Sequence, residues 1–227
     1  MTFAPRLPPR LVIFDCDGVL VDSEGPSNRA VAEELTKLGW PMDEAESTHR
    51  FIGYALEEIA GVAEAHLGHP MPESWVERLR ARLVEVLANE VEAMPGAEAA
   101  LLATAALGLP YRVASNSSRA EMEVKFTRAG LASLVGDRIH SSYDVPRPKP
   151  APDVFLAAAS AQGVPPAACV VIEDSVPGAM GAVAAGMAVL GLDVHGDGAA
   201  LRAAGATPVR SLAEVPVLLG AALRRAA

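Results

Sequence analysis

The stretch LVIFDCDGVLVDSE, residues 11–24, decides the fold of this chain. Its opening apolar run is too short and too β-branched for a helix, and it therefore predicts a fully buried strand. The strand ends in Asp15 and Asp17, and Gly18 follows. Because successive strand residues face opposite sides, the two aspartates share one side and Cys16 takes the other. Ligands of open parallel α/β sheets bind where the strands end, so this segment predicts a binding site.

Two carboxylates at this spacing repel each other unless a cation or a shared proton relieves the repulsion. Mg²⁺ is the natural cation here, because it is hard and prefers oxygen ligands. The alternative is an acidic turn that only caps the next helix. The buried run before Asp15 and the glycine after Asp17 favour the metal site over the cap.

The composition indicates a large apolar core. The chain has 227 residues, of which 51% are hydrophobic and only 4% aromatic, so alanine, valine and leucine must build that core. Such a core is typical of helices and parallel strands rather than of an aromatic-rich β-sandwich. Cys16 and Cys169 do not form a CxxC pair, and we interpret both as packing residues.

Charge and hydropathy exclude several classes of partner. The net charge is -9 and no basic run occurs, so we expect no nucleic-acid partner, whereas a small anionic substrate is not excluded. No apolar stretch is long enough to span a membrane, and the N-terminal segment MTFAPRLPPR lacks an apolar signal core. We therefore expect a cytoplasmic protein that does not contact a membrane. We also expect a monomer.

Two kinds of pattern divide the chain. Residues 24–91 carry helical periodicity almost throughout, and Met94-Pro95-Gly96 then indicates a hinge. Beyond the hinge, strands and Ala-rich helices alternate, which indicates a parallel sheet with right-handed crossovers. The predicted strands in this part of the chain span residues 111–115, 138–140, 169–173, 187–192 and 207–210.

We therefore predict an α/β fold, with a Rossmann-like, doubly wound parallel sheet as the core and an inserted α-helical cap domain. The core comprises residues 1–21 and 93–227, and the cap comprises residues 22–92. A helical module inserted beside the strand ends is placed to act as a lid over a site.

A hydroxyl and an amide follow the predicted strand 111–115. Ser115 lies on the strand end itself, and Asn116 comes directly after it. Ser117 or Ser118 is then in position to cap the following helix, and we interpret this serine pair as a cap. Ser115 and Asn116 are the candidates for contact with a ligand.

A lysine and two further acids complete the candidate site. Lys149 lies in the stretch PRPKP, whose prolines stiffen the backbone and suit the lysine to hold an anion, although an exposed loop lysine is the simpler interpretation. Glu173 and Asp174 end a second buried strand and could bind the same Mg²⁺. Metal, lysine and hydroxyl together can neutralise a bound phosphoryl group, as phosphoryl transfer requires.

Four segments match, in order, the signature motifs of the haloacid dehalogenase-like hydrolase superfamily, the aspartate-nucleophile phosphatases. They are DCDGVL at 15–20, VASN at 113–116, KPAPDVF at 149–155 and EDSVPG at 173–178. The position of the helical insert resembles the small cap of the β-phosphoglucomutase-like branch. Within that branch the chain is similar to sugar-phosphate phosphatases of the 6-phosphogluconate phosphatase-like type, through Arg50-Phe51, Tyr143-Asp144 and Arg147.

The resemblance implies a catalytic role for four residues. Asp15 is the nucleophile that forms an aspartyl-phosphate. Asp17 is the general acid for the leaving oxygen and then the base for water, and its backbone carbonyl also binds the metal. Ser115 hydrogen-bonds the phosphoryl group, and Lys149 holds it against Asp15.

The resemblance also implies Mg²⁺ as the cofactor, held by Asp15, Asp17 and Asp174. Glu173 is either a fourth ligand or an acid that supports the ligands from outside. A small phosphorylated metabolite is the implied binding partner. The residues expected to bind it are Ser115, Asn116, Lys149, Arg50 and Gly53.

The cap loop HRFIGY, residues 49–54, is the expected specificity surface on this resemblance. Arg50 could grip a carboxylate or a second phosphate with two hydrogen bonds. The alternative interpretation is a solvated arginine at a helix end.

Departures from the superfamily pattern reduce the number of candidate activities. True dehalogenases lack the second acid of the first motif, whereas this chain has Asp17, so dehalogenation is disfavoured. The resemblance instead implies Mg²⁺-dependent hydrolysis of a sugar or sugar-acid phosphate. β-Phosphoglucomutases carry a cap histidine where this chain has Ser27, and a phosphate-gripping cap arginine where it has Leu56. Both departures favour a phosphatase, and a phosphosugar mutase is the alternative. A non-catalytic phosphosugar-binding regulator is disfavoured, because no motif residue is missing.

Overall fold

The computed structural model describes residues 3, 5–51, 54, 56–194 and 196–225. Its strands are β1 (Leu11–Phe14), β2 (Val21–Asp22), β3 (Glu92–Ala93), β4 (Tyr111–Ser115), β5 (Ile139–Ser141), β6 (Cys169–Glu173), β7 (Ala188–Leu192) and β8 (Thr207–Val209). Six of them form one sheet in the order β5-β4-β1-β6-β7-β8, and every neighbouring pair runs parallel. The first strand therefore lies in the middle of the sheet, as a fully apolar strand requires.

The helices are α1 (Glu24–Lys37), α2 (Glu44–Phe51), α3 (Leu56–Leu67), α4 (Trp75–Glu90), α5 (Ala97–Ala106), α6 (Arg119–Arg128), α7 (Ala132–Val135), α8 (Asp153–Ala161), α9 (Val176–Ala184), α10 (Ala199–Ala203) and α11 (Glu214–Arg224). Within the described residues, none of them combines the length and the apolar character needed to cross a bilayer.

The helices after β3 cover both faces of the sheet, which gives two apolar clusters. Val12 and Phe14 of β1 pack on one face with residues of α5, α6, α7 and α11. Leu11 and Ile13 pack on the other face with residues of α8, α9 and α10. The alternation along one strand thus supplies both clusters, and the predicted doubly wound parallel core is confirmed.

Three of the six predicted strands of the sheet begin and end where the structure has them, and the other three differ slightly. β5 spans 139–141 rather than 138–140, β7 begins at Ala188, and β8 ends at Val209. Ser141 joins β5 because it pairs in register with Ser115, the last residue of the neighbouring strand. This pairing carries the sheet one residue further toward the site than the apolar pattern alone predicted.

The four helices α1 to α4 have an apolar core of their own. It contains Val31 and Leu35 of α1, Trp75 and Leu79 of α4, and the buried Trp40 between helices. Gly39, with a φ of 95°, follows the end of α1, where glycine commonly ends a helix. The predicted helical character of this segment is confirmed.

A short antiparallel ribbon, which the sequence analysis did not predict, connects the helical insert to the sheet. β2 pairs with β3, with Val21 opposite Ala93 and Asp22 opposite Glu92. The backbone N–H of Met94 extends the pairing by donating to the carbonyl of Leu20. Strands this short carry no periodicity that a sequence pattern could detect. The ribbon lies at the two domain boundaries proposed from the sequence.

Candidate active site

The carboxyl ends of three neighbouring strands bring the predicted site residues together. Phe14 of β1 lies opposite Val113 of β4 on one side and opposite Ile172 of β6 on the other. The residues that follow these positions therefore meet at one edge of the sheet. This parallel register explains how motifs more than a hundred positions apart in the sequence build one site.

Lys149 is the centre of the polar contacts at this edge. Its Nζ donates to Oδ1 of Asp15 at 2.6 Å, to Oε1 of Glu173 at 2.7 Å and to the carbonyl of Ala114 at 2.9 Å. Burial alone would lower the pKa of Lys149, but the charges of Asp15 and Glu173 outweigh it and raise the pKa. The lysine is therefore buried and charged, and the interpretation of Lys149 as an exposed loop lysine is wrong.

Asn116 holds the backbone of the Lys149 loop. Its Oδ1 accepts from the backbone N–H of Lys149 at 3.0 Å, and its Nδ2 donates to the carbonyl of Lys149 at 3.5 Å. The amide thus fixes the segment that carries the lysine. A direct contact between Asn116 and substrate stays a prediction.

Glu173 is fully buried, and donors of this chain occupy both of its oxygens. Oε1 accepts from Lys149, while Oε2 accepts from the backbone N–H groups of Asp174 and Ser175 and from the Ser175 hydroxyl. A Cβ on Gly178 would lie 1.7 Å from Oε1, so the first turn of α9 leaves room for this carboxylate only because it carries a glycine there. Glu173 therefore orients Lys149 and the backbone of Asp174 and Ser175.

Three acids could hold a metal ion. One oxygen each from Asp15, Glu173 and Asp174 lies within 4.8 Å of the others. Burial first, and then the neighbouring carboxylates, raise the pKa of Asp174 well above its ordinary value, and burial likewise raises the pKa of Asp15 to about 7. Such uncompensated negative charge among oxygen ligands fits a hard divalent cation such as Mg²⁺.

Gly18 provides the space that Asp174 occupies. Its φ is 74°, in the left-handed region that favours glycine, and a Cβ there would lie 1.9 Å from Oδ2 of Asp174. The loop after β1 and the loop after β6 can therefore approach closely only with glycine at this position. This approach brings Asp174 beside Asp15.

Asp17 faces a different set of partners. Its side chain accepts hydrogen bonds from the hydroxyls of Ser23 and Ser117, the latter at 2.9 Å, and from Nζ of Lys125 at 2.6 Å. Burial alone would raise the pKa of Asp17, but the charge of Lys125 and these hydrogen bonds outweigh it and lower the pKa. The side chains of Asp15 and Asp17 thus lie in different environments, each with its own lysine.

Sequence reasoning missed Ser23, Ser117 and Lys125. Ser118 does cap α6, in a capping box with Glu121, but Ser117 points into the site, so the capping interpretation holds for Ser118 alone. The available signal was the spacing of the buried Met122, Lys125 and Phe126, which places the lysine on the apolar face of α6. A lysine on such a face needs a buried partner.

Ser115 lies at the end of β4, beside Asp17. Its side chain is buried, its Oγ accepts from the backbone N–H of Ser117 at 3.0 Å, and it donates to Oδ2 of Asp17 at 3.4 Å. Since this second contact is long, the hydroxyl is available to a phosphoryl oxygen. The predicted position of Ser115 at the end of β4 agrees with the structure.

The two substrate-binding residues predicted in the helical insert are Arg50 and Gly53, and within the part of the chain that the structure describes there is no hydrogen bond or ion pair between Arg50 and the site residues above. Arg50 pairs with Glu46 one turn earlier on α2 at 2.9 Å, and its guanidinium lies over the ring of Trp40. Both partners lie in the helical segment from α1 to α4, so substrate binding by Arg50 stays a prediction. Gly53 lies outside the described residues.

We predict that Gly18→Ala weakens metal binding as well as stability. Strain at positive φ should lower the free energy of unfolding by about 1–3 kcal/mol, and the added methyl group should displace Asp174. Thermal melts with and without Mg²⁺ measure both effects.

Gly39→Ala is the matched control, because Gly39 has a φ of 95° and a Cβ added there would have no described atom within 4 Å. Both variants should lose stability, but only Gly18→Ala should lose the stabilisation by Mg²⁺. An undiminished response to Mg²⁺ in Gly18→Ala would show that the approach of Asp174 to this loop is not needed for binding.

Comparisons with known proteins agree with this geometry. A family model for haloacid dehalogenase-like hydrolases matches residues 9–186. The 6-phosphogluconate phosphatase of Escherichia coli (strain K12) is 35% identical over 179 residues, which cover 78% of this chain and 80% of that protein.

Solved structures are similar over nearly the whole chain. A HAD family hydrolase from Deinococcus radiodurans R1, with bound phosphate and sodium, has a TM-score of 0.80 at 35% identity and covers 95% of this chain and 96% of its own. A β-phosphoglucomutase-like protein from Thermotoga maritima has a TM-score of 0.75 at 26% identity and covers 93% and 99%. The chain belongs to the haloacid dehalogenase-like hydrolase family, as its four motifs predicted.

Proposed function

We propose that this protein is a Mg²⁺-dependent phosphatase that hydrolyses a small phosphorylated metabolite through an aspartyl-phosphate on Asp15. The observation that carries the proposal is the pair of Asp15 and Lys149, buried together at 2.6 Å beside Asp174 and Glu173. A carboxylate next to a fixed cation and further acids is suited to receive a phosphoryl group whose charge must be neutralised.

The reaction has two displacements. An oxygen of Asp15 forms a bond to phosphorus as the bond to the substrate alcohol breaks, and Asp17 donates a proton to that leaving oxygen. Water then attacks the same phosphorus, gives a proton to Asp17 and releases phosphate from Asp15. A covalent intermediate divides one difficult displacement into two easier ones.

Three groups of this chain hold the transferred phosphoryl group. Lys149 is placed to neutralise an oxygen next to Asp15, and Ser115 offers its hydroxyl from the end of β4. Asn116 keeps the lysine loop in place through the backbone of Lys149. Bound Mg²⁺ would offset the repulsion between the Asp15 carboxylate and the phosphate.

The metal would be held by the side chains of Asp15 and Asp174 and by the backbone carbonyl of Asp17. Between the two roles open to Glu173, we propose the supporting one. Both of its oxygens already accept hydrogen bonds from Lys149 and from the start of α9. A negative charge in that place fixes the lysine and the ligand loop.

The substrate class rests on the relatives and on the cap. A 35% identical relative is a 6-phosphogluconate phosphatase, and a hexitol phosphatase B from Escherichia coli is 30% identical over 177 residues. The two names point to phosphate esters of a sugar acid and of a sugar alcohol. We therefore propose a sugar or sugar-acid phosphate, with Arg50 of the cap as the group that binds an anionic far end.

The cap favours hydrolysis over a mutase reaction. A mutase must hold a second phosphate while the intermediate turns round. Leu56, which takes the position of the gripping arginine, packs against the apolar core of the cap and offers no charge. Ser27 takes the position of the cap histidine. Water is therefore the expected acceptor of the phosphoryl group.

We predict that the protein releases inorganic phosphate from small sugar and sugar-acid phosphates only when Mg²⁺ is present. Asp15→Asn keeps the size of the side chain but removes the attacking charge, and turnover should fall by at least about a thousandfold. A panel of phosphate esters, assayed with Mg²⁺ and with EDTA, measures both.

Three outcomes would contradict the proposal in different ways. Near-normal activity of Asp15→Asn would exclude Asp15 as the nucleophile. Conversion of β-glucose 1-phosphate to glucose 6-phosphate without phosphate release would identify a mutase. Binding of esters without any turnover would support the regulatory alternative.

We predict that Mg²⁺ stabilises the protein more at high pH than at low pH. Without metal, burial raises the pKa of Asp15 from 3.8 to about 7, so the folded state keeps a proton that the unfolded chain has released. The free energy of unfolding therefore falls as pH rises through this window, and Mg²⁺ should reverse the loss.

At about a hundred times its dissociation constant, Mg²⁺ should raise the Tm by roughly 5–10 °C near pH 8 and by clearly less near pH 5. Melting curves of Asp15→Asn provide the control, since asparagine has no charge to relieve. An equal Mg²⁺ effect at both pH values in the wild type would place the metal away from Asp15.

We predict that Arg50→Ala raises KM about tenfold or more for the best anionic-tailed substrate, while KM for a neutral-tailed ester changes little. A cap contact remote from the reacting centre contributes mainly to binding. Lys37→Ala is the matched control, because Lys37 is also an exposed cap cation paired within its own helix. Equal losses on both substrates would remove Arg50 from the specificity surface without affecting the phosphatase proposal.

A further inference from the structure

A second buried lysine lies at the site, and no step described above uses it. Lys125 of α6 is 4% exposed, yet its Nζ lies 2.6 Å from Oδ1 of Asp17 and 2.8 Å from Oγ of Ser117. Burying an ammonium group is costly unless it is paired and hydrogen-bonded. Here the partner is the acid that serves both half-reactions.

The carboxylate of Asp17 is fixed from three separate elements. Ser23 donates to it from the junction between β2 and α1, and Ser117 donates from the loop after β4. Lys125 of α6 donates to Oδ1 of Asp17 and to the hydroxyl of Ser117. That hydroxyl in turn donates to Oδ2 of Asp17, so both carboxylate oxygens are held. Rotation of the carboxylate would break contacts to all three elements.

Lys125 does not belong to the phosphate-binding group. Lys149 accounts for the cation next to Asp15, and its contacts are with Asp15, Glu173 and a backbone carbonyl. The contacts of Lys125 are with Asp17 and Ser117. Lys149 therefore pairs with Asp15, the first acid of the motif at 15–20, and Lys125 pairs with Asp17, the second acid.

We propose that Lys125 is a positioning residue that aims the side chain of Asp17 at the leaving oxygen. The proposal rests on the phosphatase function above, since it concerns how the acid of that reaction is held. Effective proton transfer needs a fixed geometry, and a misplacement of about 1 Å can cost about a hundredfold in rate. Ser117 completes the arrangement by bridging Lys125 and Asp17.

If Lys125 positions Asp17, its loss should matter most for substrates whose leaving group needs a proton, whereas a purely structural role predicts no such difference. An alkoxide is a poor leaving group and needs the proton from Asp17, whereas p-nitrophenolate leaves without one. The parameter kcat/KM reports only the steps through departure of the alcohol. Loss of positioning should therefore lower kcat/KM for alkyl phosphates far more than for p-nitrophenyl phosphate.

The test compares Lys125→Met with wild type on two probes. One is p-nitrophenyl phosphate, and the other is the alkyl phosphate with the highest kcat/KM in the panel above. We expect kcat/KM to fall about 100-fold for the alkyl ester and less than about 5-fold for the aryl ester. Lys125→Arg, which keeps the charge, should restore part of the loss on the alkyl ester.

Arg128→Met is the matched control. Arg128 lies on the same helix, is exposed, and donates to the carbonyl of Asn89 in the cap. This variant removes a cation of α6 without touching Asp17, so both probes should change together and only slightly. The control separates positioning of the acid from a general disturbance of α6.

The outcomes are distinct. Equal losses on both probes, or no loss on either, would overturn the proposal. If Lys125→Met has no cooperative melt, Ser117→Ala decides in its place, and it should show the same preference for loss on the alkyl ester. A wild-type protein that hydrolyses neither probe would instead refute the phosphatase function itself.

Discussion

Buried negative charge at the ends of two adjacent strands is the constraint on which the site depends. β1 and β6 pair in register, so Asp15, Glu173 and Asp174 are forced together in an apolar sheet. Lys149 offsets part of this charge through direct contacts with Asp15 and Glu173. The repulsion that remains among these carboxylates would be relieved by a bound divalent cation, which the proposed reaction requires.

The second acid of the motif is kept out of this cluster. Asp17 faces Lys125 and two serine hydroxyls, while Asp15 faces Lys149. Chemically similar carboxyls two positions apart thus acquire opposite pKa shifts, upward for Asp15 and downward for Asp17. These directions belong to the metal-free site and run opposite to the proposed roles, because a nucleophile must be charged and a proton donor must carry a proton. Bound Mg²⁺ would return Asp15 to its charged form, and Asp17 must gain its proton in the substrate complex.

The sheet and its motifs were predictable because parallel strands buried on both faces carry a strong local signal. The limits of β1 and β6 follow from their apolar runs, and the acids at the ends of these two strands mark the site. The role of Lys125 was not predictable in this way, since only the docking of α6 over the loop after β1 gives the lysine its partner. The β2–β3 ribbon was missed for another reason, as its strands are only two residues long.

The proposed mechanism requires that Asp15 becomes covalently phosphorylated during turnover. Rapid acid quench of the enzyme turning over its best phosphate ester, followed by peptide mass spectrometry, tests it most directly. We expect a phosphoryl adduct on Asp15 that appears before the steady state, accumulates to at most one per chain, and is absent when Mg²⁺ is chelated. Turnover with no adduct, or with the adduct on another residue, would exclude Asp15 as the nucleophile.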